Sequence, residues 1–447
     1  MPSEARNYPE RLEIVPLERP PRSAISVPGS KSITNRALVL AALSGKGCEL
    51  HGALQSEDTE VMIDSLRRLG FQVQPDWRFD SIKVGANQSA RVIPAEKAEL
   101  YVANSGTTMR FLAAMVSAGN GRYRLDGTAR MRERPIEDLL SALRDLGVNA
   151  RSENGDGCPP VLIETNGLQS GQVSIRGDTS SQFLSGLLMS ALRAKGHVTV
   201  RWLGPYVSFP YVQMTFEMMQ QFGAQLSEML HGGNFRRVPP DGQINFLLPA
   251  PQDFGVPSYE IEPDASAASY FFAAAAIMNG AVTVSDLTGK NIQGDEYFTS
   301  LLKAMGCRVE RCSSGTTVLG RAMHGVDEKD MSSFSDLVMT LAAVACFAEG
   351  PTTIRNVAHI RHKETDRISA LATELRKIGA EVEEYTDGLK ILPRPLHGAE
   401  IETYNDHRMA MSMALVGLKV PGIVILNPGC VAKTYPGFWE DLERLRS

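Results

Sequence analysis

Cysteine, tryptophan and long apolar runs are all scarce in this sequence. Six cysteines among 447 residues, none of them in a C-x-x-C pair, are too few for a disulfide scaffold and indicate reduced thiols. No apolar run reaches the roughly 18 residues that a membrane-spanning helix needs. The first residues, MPSEARNYPERLEIVP, lack the apolar stretch of a secretory signal. We therefore expect a cytoplasmic protein without a membrane partner.

An excess of positive charge is also missing. Lys and Arg number 46 against 51 Asp and Glu, for a net charge of −5. A general binder of nucleic acid is basic, so no nucleic-acid partner is expected. Hydrophobic residues make up 43% and charged residues 22% of the chain, which is typical of a globular protein. The length allows two or three domains.

Several common catalytic fingerprints are absent as well. The segment PGSKS lacks the spacing of a Walker loop, and neither G-x-G-x-x-G nor G-x-S-x-G occurs. His359 and His362 have an H-x-x-H spacing, but Arg361, Lys363 and Arg367 surround them, and cations repel a metal ion. We therefore expect no Walker loop, no Rossmann dinucleotide site and no metal site at these histidines.

A repeat is present instead. Five amphipathic helix ends each close on a glycine followed by a strand, as in SLRRLGFQV and ELRKIGAEV. Glycine suits this position because it adopts the left-handed conformation without a Cβ clash. The five glycines lie 73 to 83 residues apart: Gly70, Gly147, Gly223, Gly306 and Gly379.

A second series of six helices alternates with the first. These helices are apolar nearly all round, as in ASYFFAAAAIMNG, so they should be buried. Each is expected to end at a glycine, and a strand follows: Gly47, Gly121, Gly196, Gly280, Gly350 and Gly422. The pattern predicts six units of about 75 residues in an α+β fold whose sheets wrap round buried helices.

Proline clusters at 16–22 and 249–263 divide the array into two lobes of three units. We place one lobe at residues 23–255. The other combines residues 1–22 with 256–447. A two-strand hinge is expected near 20–24 and 250–260.

Basic residues stand at or near many of the helix starts. A cation in the first turn opposes the helix dipole, so helix stability does not explain them. Helix N-termini favour anions, and added guanidinium and ammonium groups make a site for phosphates or carboxylates. The cations concerned are Lys31, Arg36, Arg110, Arg130, Arg134, Lys363, Arg367 and Arg408.

Two carboxylates are candidates for proton transfer in such a site. Asp336 starts an apolar helix, where capping is the ordinary role. Glu364 stands three residues before Arg367, where a surface ion pair is the ordinary role. In an electropositive site Asp336 can instead act as a base and Glu364 as an acid or base.

These residues closely resemble the 5-enolpyruvylshikimate-3-phosphate (EPSP) synthase family over nearly the whole chain. The motifs that carry the resemblance are PGSKSITNRALVLAAL, NSGTTMRFLAA, ARMRERPI, DTSSQFLSGLLMSA, DASAASYFFAAAAI, KETDR, YNDHRMAM and AKTYPGFWEDL. The resemblance implies two lobes of three βαβαββ-type units. It also implies transfer of the enolpyruvyl group of phosphoenolpyruvate to the 5-hydroxyl of shikimate 3-phosphate, without metal or organic cofactor. We expect a monomer.

The resemblance also implies the site residues. Shikimate 3-phosphate should contact Lys31, Ser32, Arg36, Ser180, Ser181, Gln182, Ser208, Tyr211, Asp336, His359 and Lys363. Phosphoenolpyruvate should contact Lys31, Gly106, Arg130, Gln182, Arg367, Arg408 and Lys433. Asp336 is expected to be the base, Glu364 the proton carrier for the methylene carbon, and Lys31 a third catalytic residue.

The sequence departs from the family pattern at a few positions. His359 stands where many relatives have an Asn that touches shikimate 3-phosphate. Ser105, Thr108 and Phe111 replace Ala, Ala and Pro of the family's well-studied form around Gly106. The retained Gly106 suggests that glyphosate binds, while these neighbours leave the sensitivity open.

Two other functions stay open at this point. The sister family that uses UDP-N-acetylglucosamine shares the fold but typically has a reactive Cys in a loop beside phosphoenolpyruvate. The segment at 124–134 has no Cys. A non-catalytic anion-binding protein on the same scaffold is the other alternative.

Overall fold

The computed structural model describes residues 7–230 and 242–446. They divide into two compact units. One is formed by residues up to Pro28 together with those from Glu262 onward, and the other by Gly29–Ile261. Both chain boundaries lie six residues beyond the boundaries that the proline clusters suggested. No helix in the described ranges is long and apolar enough to cross a membrane.

The α-helices alternate with strands throughout. In chain order they are α1 Lys31–Ser44, α2 Glu57–Arg68, α3 Gly106–Ser117, α4 Glu137–Asp145, α5 Ser181–Ala191, α6 Phe209–Gln221, α7 Ala265–Met278, α8 Tyr297–Ala304, α9 Val338–Ala345, α10 Arg367–Lys377, α11 His407–Gly417 and α12 Phe438–Glu443. Short 3-10 turns cover Met131–Glu133, Gly294–Glu296, Ser332–Leu337, Ala358–His362, Pro428–Lys433 and Arg444–Arg446.

The strands are short. In chain order they are β1 Arg11–Ile14, β2 Arg22–Ile25, β3 Cys48–His51, β4 Val73–Asp76, β5 Ser81–Val84, β6 Lys97–Tyr101, β7 Asn120–Asp126, β8 Asn149–Ser152, β9 Val161–Asn166, β10 Gly171–Arg176, β11 Val198–Leu203, β12 Ser227–Leu230, β13 Gln243–Leu248, β14 Ser258–Glu260, β15 Ala281–Ser285, β16 Arg308–Cys312, β17 Gly315–Leu319, β18 Lys329–Asp330, β19 Thr352–Arg355, β20 Glu381–Tyr385, β21 Gly388–Leu392, β22 Glu400–Ile401 and β23 Ile423–Leu426.

Each unit contains three sheets with one recurring pattern. In Gly29–Ile261 the strand orders are β14-β3-β5-β4, β6-β7-β9-β8 and β10-β11-β13-β12. The first pair of each sheet is parallel and the other two pairs are antiparallel. The run β10-α5-β11-α6-β12-β13 is thus a complete βαβαββ repeat.

The other unit repeats the pattern with its own sheets. Two have the orders β16-β17-β15-β2 and β18-β19-β21-β20, and the third has three strands in the order β1-β23-β22. The final repeat runs into α12 at the end of the described chain, and β1 pairs antiparallel with β23. The predicted repeats are confirmed.

Two strands are exchanged along the chain. β2 precedes α1 but pairs parallel with β15, whereas β14 precedes α7 but pairs parallel with β3. Each strand therefore lies in a different unit from the helix that follows it. The chain passes from one unit to the other just after each of these strands.

The predicted core helices are buried. Every residue of α3, α9 and α11 is buried, and so is every residue of α7 except Met278. Strands such as β13 alternate buried and more exposed residues, since one face of each sheet covers the helices. The prediction of sheets wrapped round buried helices is confirmed.

The glycines behave in two ways. The five that close the amphipathic helices all have left-handed φ angles: 90° at Gly70, 81° at Gly147, 83° at Gly223, 114° at Gly306 and 97° at Gly379. The expectation that the buried helices end at a second set of glycines was wrong. Those helices end two to five residues earlier, for example α5 at Ala191 rather than Gly196, because a non-helical turn follows each of them.

Candidate functional site

In Gly29–Ile261 the predicted site residues lie at the N-terminal ends of α1, α3, α5 and α6. Serines cap three of these helices: Ser30, Ser105 and Ser180 accept hydrogen bonds from backbone N–H groups of the first turn. Ser180, for instance, accepts from the N–H of Gln182 at 3.2 Å. Capping is therefore confirmed as one role of these serines.

Lys31 is the first residue of α1 and forms an ion pair with Asp58. Its Nζ lies 3.3 Å from Oδ2 of the buried Asp58 on α2. The carboxylate holds the ammonium group at the start of α1, where the helix dipole alone would disfavour it. Sequence analysis did not select Asp58. Its only signal was a second acid in the first turn of an amphipathic helix.

Arg36 lies deep among the helices and donates to uncharged acceptors. Its Nε donates to Thr215 Oγ1 at 2.7 Å, its Nη1 to the Ser32 carbonyl at 2.9 Å, and its Nη2 to Ser185 Oγ and the Tyr211 carbonyl, each at 3.3 Å. Burial lowers the pKa of Arg36 to about 9. The guanidinium therefore links α1 to α5 and α6.

Gly106 leaves room for two guanidinium groups. A Cβ built on it would lie 2.5 Å from Nη2 of Arg134 and 2.7 Å from Nη1 of Arg110. Gln182 lies beside this point, since its Nε2 donates to Thr107 Oγ1 at 3.2 Å and so joins the starts of α5 and α3. Predicted phosphoenolpyruvate contacts are thus neighbours of two buried arginines.

The remaining residues of this unit lie around the same helix ends. Ser208 precedes α6 with a left-handed φ of 51°, and the ring of Tyr211 lies 5.9 Å from the guanidinium carbon of Arg36. Ser32 and Ser181 occupy the first turns of α1 and α5. Arg130 lies in the loop after β7, where its Nη1 is 2.7 Å from Glu133 Oε2.

In the other unit the predicted residues form a compact ionic cluster centred on Asp336. The Asp336 carboxylate lies 2.5 Å from Lys363 Nζ, 2.9 Å from Arg408 Nη2 and 3.3 Å from Arg367 Nη1. Capping is the ordinary role of an acid at the start of an apolar helix, and Asp336 does not fill it. It lies instead in the 3-10 turn before α9, and that helix has no side-chain cap.

These contacts set the charge state of Asp336 and Lys363. Burial raises the pKa of Asp336, but Arg408, Lys363 and Arg367 together hold it well below its usual value. For Lys363, burial outweighs the attraction of Asp336 and lowers the pKa of the ammonium group. The carboxylate is therefore ionised at neutral pH.

Glu364 contacts two further cations. Its Oε2 lies 2.8 Å from Arg367 Nη2, and its Oε1 lies 3.8 Å from Lys433 Nζ. The Glu364 side chain is only 9% exposed, so this i,i+3 pair is buried rather than on the surface. Lys433 lies in the 3-10 turn Pro428–Lys433, and the structure thus brings residues of three motifs together.

Asp406 completes the cluster and was missed by the sequence analysis. It is fully buried and accepts from Arg367 Nε at 2.7 Å and Nη2 at 3.2 Å. Its Oδ1 also accepts from the backbone N–H of Arg408 at 2.9 Å, so Asp406 caps α11. An acid directly before a basic pair at the start of an apolar helix was the available signal.

Two histidines lie against the cluster in neutral form. Burial, followed by the nearby Lys363, lowers the pKa of His359 to about 3. Burial likewise holds the pKa of His407 well below its usual value. His359 Nε2 and both ring nitrogens of His407 are buried without a hydrogen-bond partner among the described residues. A neutral imidazole there can donate or accept a hydrogen bond without changing the net charge.

This arrangement suits anion binding and proton transfer. Lys363, Arg367, Arg408 and Lys433 supply four cations against three carboxylates, Asp336, Glu364 and Asp406. The planar forks of the arginines match carboxylate and phosphate oxygens. Asp336 and Glu364 both border the guanidinium of Arg367, and as carboxylates beside a group of cations they are the candidates for proton transfer.

Comparison with known proteins gives one consistent family. The family model for EPSP synthase (3-phosphoshikimate 1-carboxyvinyltransferase) matches residues 19–442. The chain is 44% identical over 431 residues to the 3-phosphoshikimate 1-carboxyvinyltransferase of Nostoc punctiforme, covering 96% of this chain and 98% of that protein. It is 42% identical to the chloroplastic enzyme of Arabidopsis thaliana, covering 94% and 82% of the two chains.

Solved structures show the same fold. The EPSP synthase of Acinetobacter baumannii superposes with a TM-score of 0.78 at 25% identity, covering 97% of this chain and 98% of that one. The enolpyruvyl transferase NikO of Streptomyces tendae has a TM-score of 0.73 at 21% identity, covering 98% and 97%.

Proposed function

The chain belongs to the EPSP synthase family, and on this premise we propose how its ionic clusters carry out the reaction. The enzyme transfers the enolpyruvyl group of phosphoenolpyruvate to the 5-hydroxyl of shikimate 3-phosphate and releases phosphate. This reaction belongs to the shikimate pathway to chorismate and the aromatic amino acids. The observation that carries the assignment of roles is the Asp336 carboxylate held by Lys363, Arg367 and Arg408.

The reaction proceeds by addition and then elimination. Asp336 takes the proton of the 5-hydroxyl while that oxygen bonds to C2 of phosphoenolpyruvate, and protonated Glu364 gives its proton to the C3 methylene. The product of this step is a tetrahedral ketal phosphate with a new methyl group. Glu364 then takes a proton back from the methyl group as the C2–phosphate bond breaks, and the proton held by Asp336 passes to the departing phosphate. This step forms the enol ether, frees phosphate and returns both carboxyl groups to their starting states.

The proposed contacts of shikimate 3-phosphate combine hydroxyl, amide and cationic groups. They are Lys31, Ser32, Arg36, Ser180, Ser181, Gln182, Ser208, Tyr211, Asp336, His359 and Lys363. Helix N-termini at α1, α5 and α6 support this proposal, since their first-turn N–H groups favour anions. His359, neutral and with a buried unpartnered Nε2, suits a hydrogen bond to an uncharged hydroxyl.

The proposed contacts of phosphoenolpyruvate are mostly cationic. They are Lys31, Gly106, Arg130, Gln182, Arg367, Arg408 and Lys433. The substrate carries a carboxylate and a phosphate, and the guanidinium forks of Arg367 and Arg408 match both groups. Lys31 is also proposed as a catalytic residue, supported by its position at the start of α1 beside buried Asp58.

Phosphate release is the first experiment. Purified enzyme is incubated with shikimate 3-phosphate and phosphoenolpyruvate without added metal, and we expect release only when both substrates are present. Parallel reactions receive UDP-N-acetylglucosamine in place of shikimate 3-phosphate. Phosphate release with the UDP-sugar but not with shikimate 3-phosphate would assign the sister activity. No phosphate release in either reaction, by a folded protein, would leave a non-catalytic binding role.

We also propose a cytoplasmic monomer. All six cysteines are free thiols, which suits a reducing compartment. Among the described residues the exposed large apolar side chains are Val15, Phe79 and Tyr101, in three separate segments, which argues against a large apolar subunit interface. Light scattering on the purified protein should give a mass near 48.7 kDa, and a multiple of that mass would contradict the monomer.

A further inference from the structure

The segment Glu402–Asp406 leads from β22 into α11 through an unfavourable backbone. Tyr404 and Asn405 both have left-handed φ angles, 53° and 55°. Such a conformation costs a residue with a Cβ roughly 1–2 kcal/mol, and Tyr adopts it less readily than Asn. Two consecutive residues of this kind need contacts that hold them in place.

Glu374 on α10 supplies those contacts. Its carboxylate is fully buried: Oε1 accepts from Tyr404 Oη at 2.8 Å, and Oε2 accepts from the N–H of Glu402 at 3.1 Å. Lys377, whose side chain is 42% exposed, places its Nζ 2.9 Å from Oε2. Burying a carboxylate is costly, and these three donors satisfy it.

Helix α10 holds the segment at two points. Arg367 lies seven residues before Glu374, which is about two turns or roughly 10 Å along the same face. Arg367 binds Asp406 at one end of the segment, while Glu374 binds Glu402 and Tyr404 at the other. Because Asp406 also caps α11, this double attachment fixes the start of that helix. The Arg408 side chain extends from this point to Asp336.

We propose that Glu374 is a positioning residue for phosphoenolpyruvate binding. Through Tyr404 and Glu402 it fixes the segment that places Asp406, and Asp406 in turn orients Arg367 and Arg408. Glu374 touches no proposed substrate contact itself, so it acts only through these residues. This inference rests on the proposed function, because the arginines it positions are the proposed phosphoenolpyruvate contacts.

The test compares four single variants with the parent enzyme. Glu374→Ala removes both hydrogen bonds to the segment, and Tyr404→Phe removes one of them. Glu374→Gln keeps an amide oxygen that can accept from Tyr404 or from Glu402 but not from both. Lys377→Ala is the matched control, since it removes a partner of the same carboxylate without contacting the segment. For each enzyme we would measure kcat, the KM of both substrates, thermal unfolding, and phosphoenolpyruvate binding by calorimetry.

We expect Glu374→Ala to raise the KM of phosphoenolpyruvate roughly ten-fold, as small misplacements of binding groups do. The KM of shikimate 3-phosphate should stay within about two-fold, since the double attachment orients arginines assigned to the other substrate. Tyr404→Phe should also raise the KM of phosphoenolpyruvate, and Glu374→Gln should give a value between those of the parent and the alanine variant. Lys377→Ala should leave this KM at the parental value.

Two results would overturn the proposal. One is a Glu374→Ala enzyme that unfolds at a lower temperature but keeps the parental KM of phosphoenolpyruvate, which would make Glu374 structural only. The other is an equal rise in KM for both substrates. If the parent enzyme releases no phosphate, the proposed function fails, and the calorimetric titration, which needs no turnover, still decides whether Glu374 positions the arginines.

Discussion

Asp336 and Arg408 form an ion pair although 72 residues separate them in the chain, with Oδ2 of the aspartate 2.9 Å from Nη2 of the arginine. The same carboxylate contacts Lys363 and Arg367, so it neutralises part of the charge of three proposed substrate contacts. An anion that binds one of these cations competes with the Asp336 carboxylate for it. The carboxylate proposed as the base is thus electrically linked to the cations proposed to hold the substrates.

Replacing Asp336 with Asn removes the proposed base while keeping the shape of the side chain. We expect turnover to fall by at least about 10²-fold, as is typical when a general base is lost. Steady-state phosphate release measures the loss, and circular dichroism checks that the fold is retained. Turnover near the parental rate would remove Asp336 from the role of base.

Glu364→Gln tests the proton carrier for the methylene carbon. Its amide can still accept from Arg367 but cannot exchange a proton, so turnover should fall by at least about 10²-fold. Exchange of the C3 hydrogens of phosphoenolpyruvate with solvent deuterium, followed by NMR, should also stop. Continued exchange at the parental rate would assign the proton transfer to another group.

Lys433→Ala should weaken the binding of phosphoenolpyruvate more than the binding of shikimate 3-phosphate. Lys433 pairs with Glu364, the proposed proton carrier, at 3.8 Å and is a proposed contact of phosphoenolpyruvate alone. We expect the affinity for that substrate to fall roughly ten-fold, as when a charge-assisted hydrogen bond worth about 1.5–3 kcal/mol is lost. Binding titrations with each substrate compare the two effects, and equal losses would count against the assignment.

His359→Asn should change how stability depends on pH. The unfolded imidazole binds a proton below about pH 6.5. The buried imidazole, with a pKa of about 3, does not bind one until far lower pH. The unfolded state therefore holds more protons between these values, so stability falls as the pH is lowered through that window. Urea unfolding between pH 4 and 7 should show a shallower slope in the variant, and an unchanged slope would mean that His359 is protonated when folded.

Arg36→Lys should destabilise the unit Gly29–Ile261. A lysine ammonium cannot reproduce the planar fork that contacts Thr215, Ser185 and two backbone carbonyls. We expect a loss of about 2 kcal/mol in the free energy of unfolding, measured by urea denaturation, because buried acceptors lose their donor. Unchanged stability with weakened shikimate 3-phosphate binding would instead make Arg36 a ligand contact only.

The site was only partly predictable from local sequence. The positions of the cations at helix starts followed from the motifs, and Lys31, Arg367 and Arg408 do stand in the first turns of α1, α10 and α11. Asp336 was a candidate base from the motifs, and that role stays a prediction. Its position between three cations did not follow from the sequence, since capping is the ordinary role of an acid at a helix start. Asp406 was missed although it directly precedes the start of the apolar helix α11. Glu374 was missed because nothing local distinguishes a buried acid on an amphipathic helix from an exposed one.

By itself the sequence determined the repeat, the buried helices and the left-handed glycines, because these depend on apolar periodicity and on the backbone of a single residue. Only the tertiary structure decided which charges meet. Asp336, the neighbouring Glu364 and Arg367, Asp406 and Lys433 come from four separate segments, and the contacts between these segments depend on how the repeats pack. Ion pairs between distant residues follow from three-dimensional distance and shared burial, which no local pattern encodes.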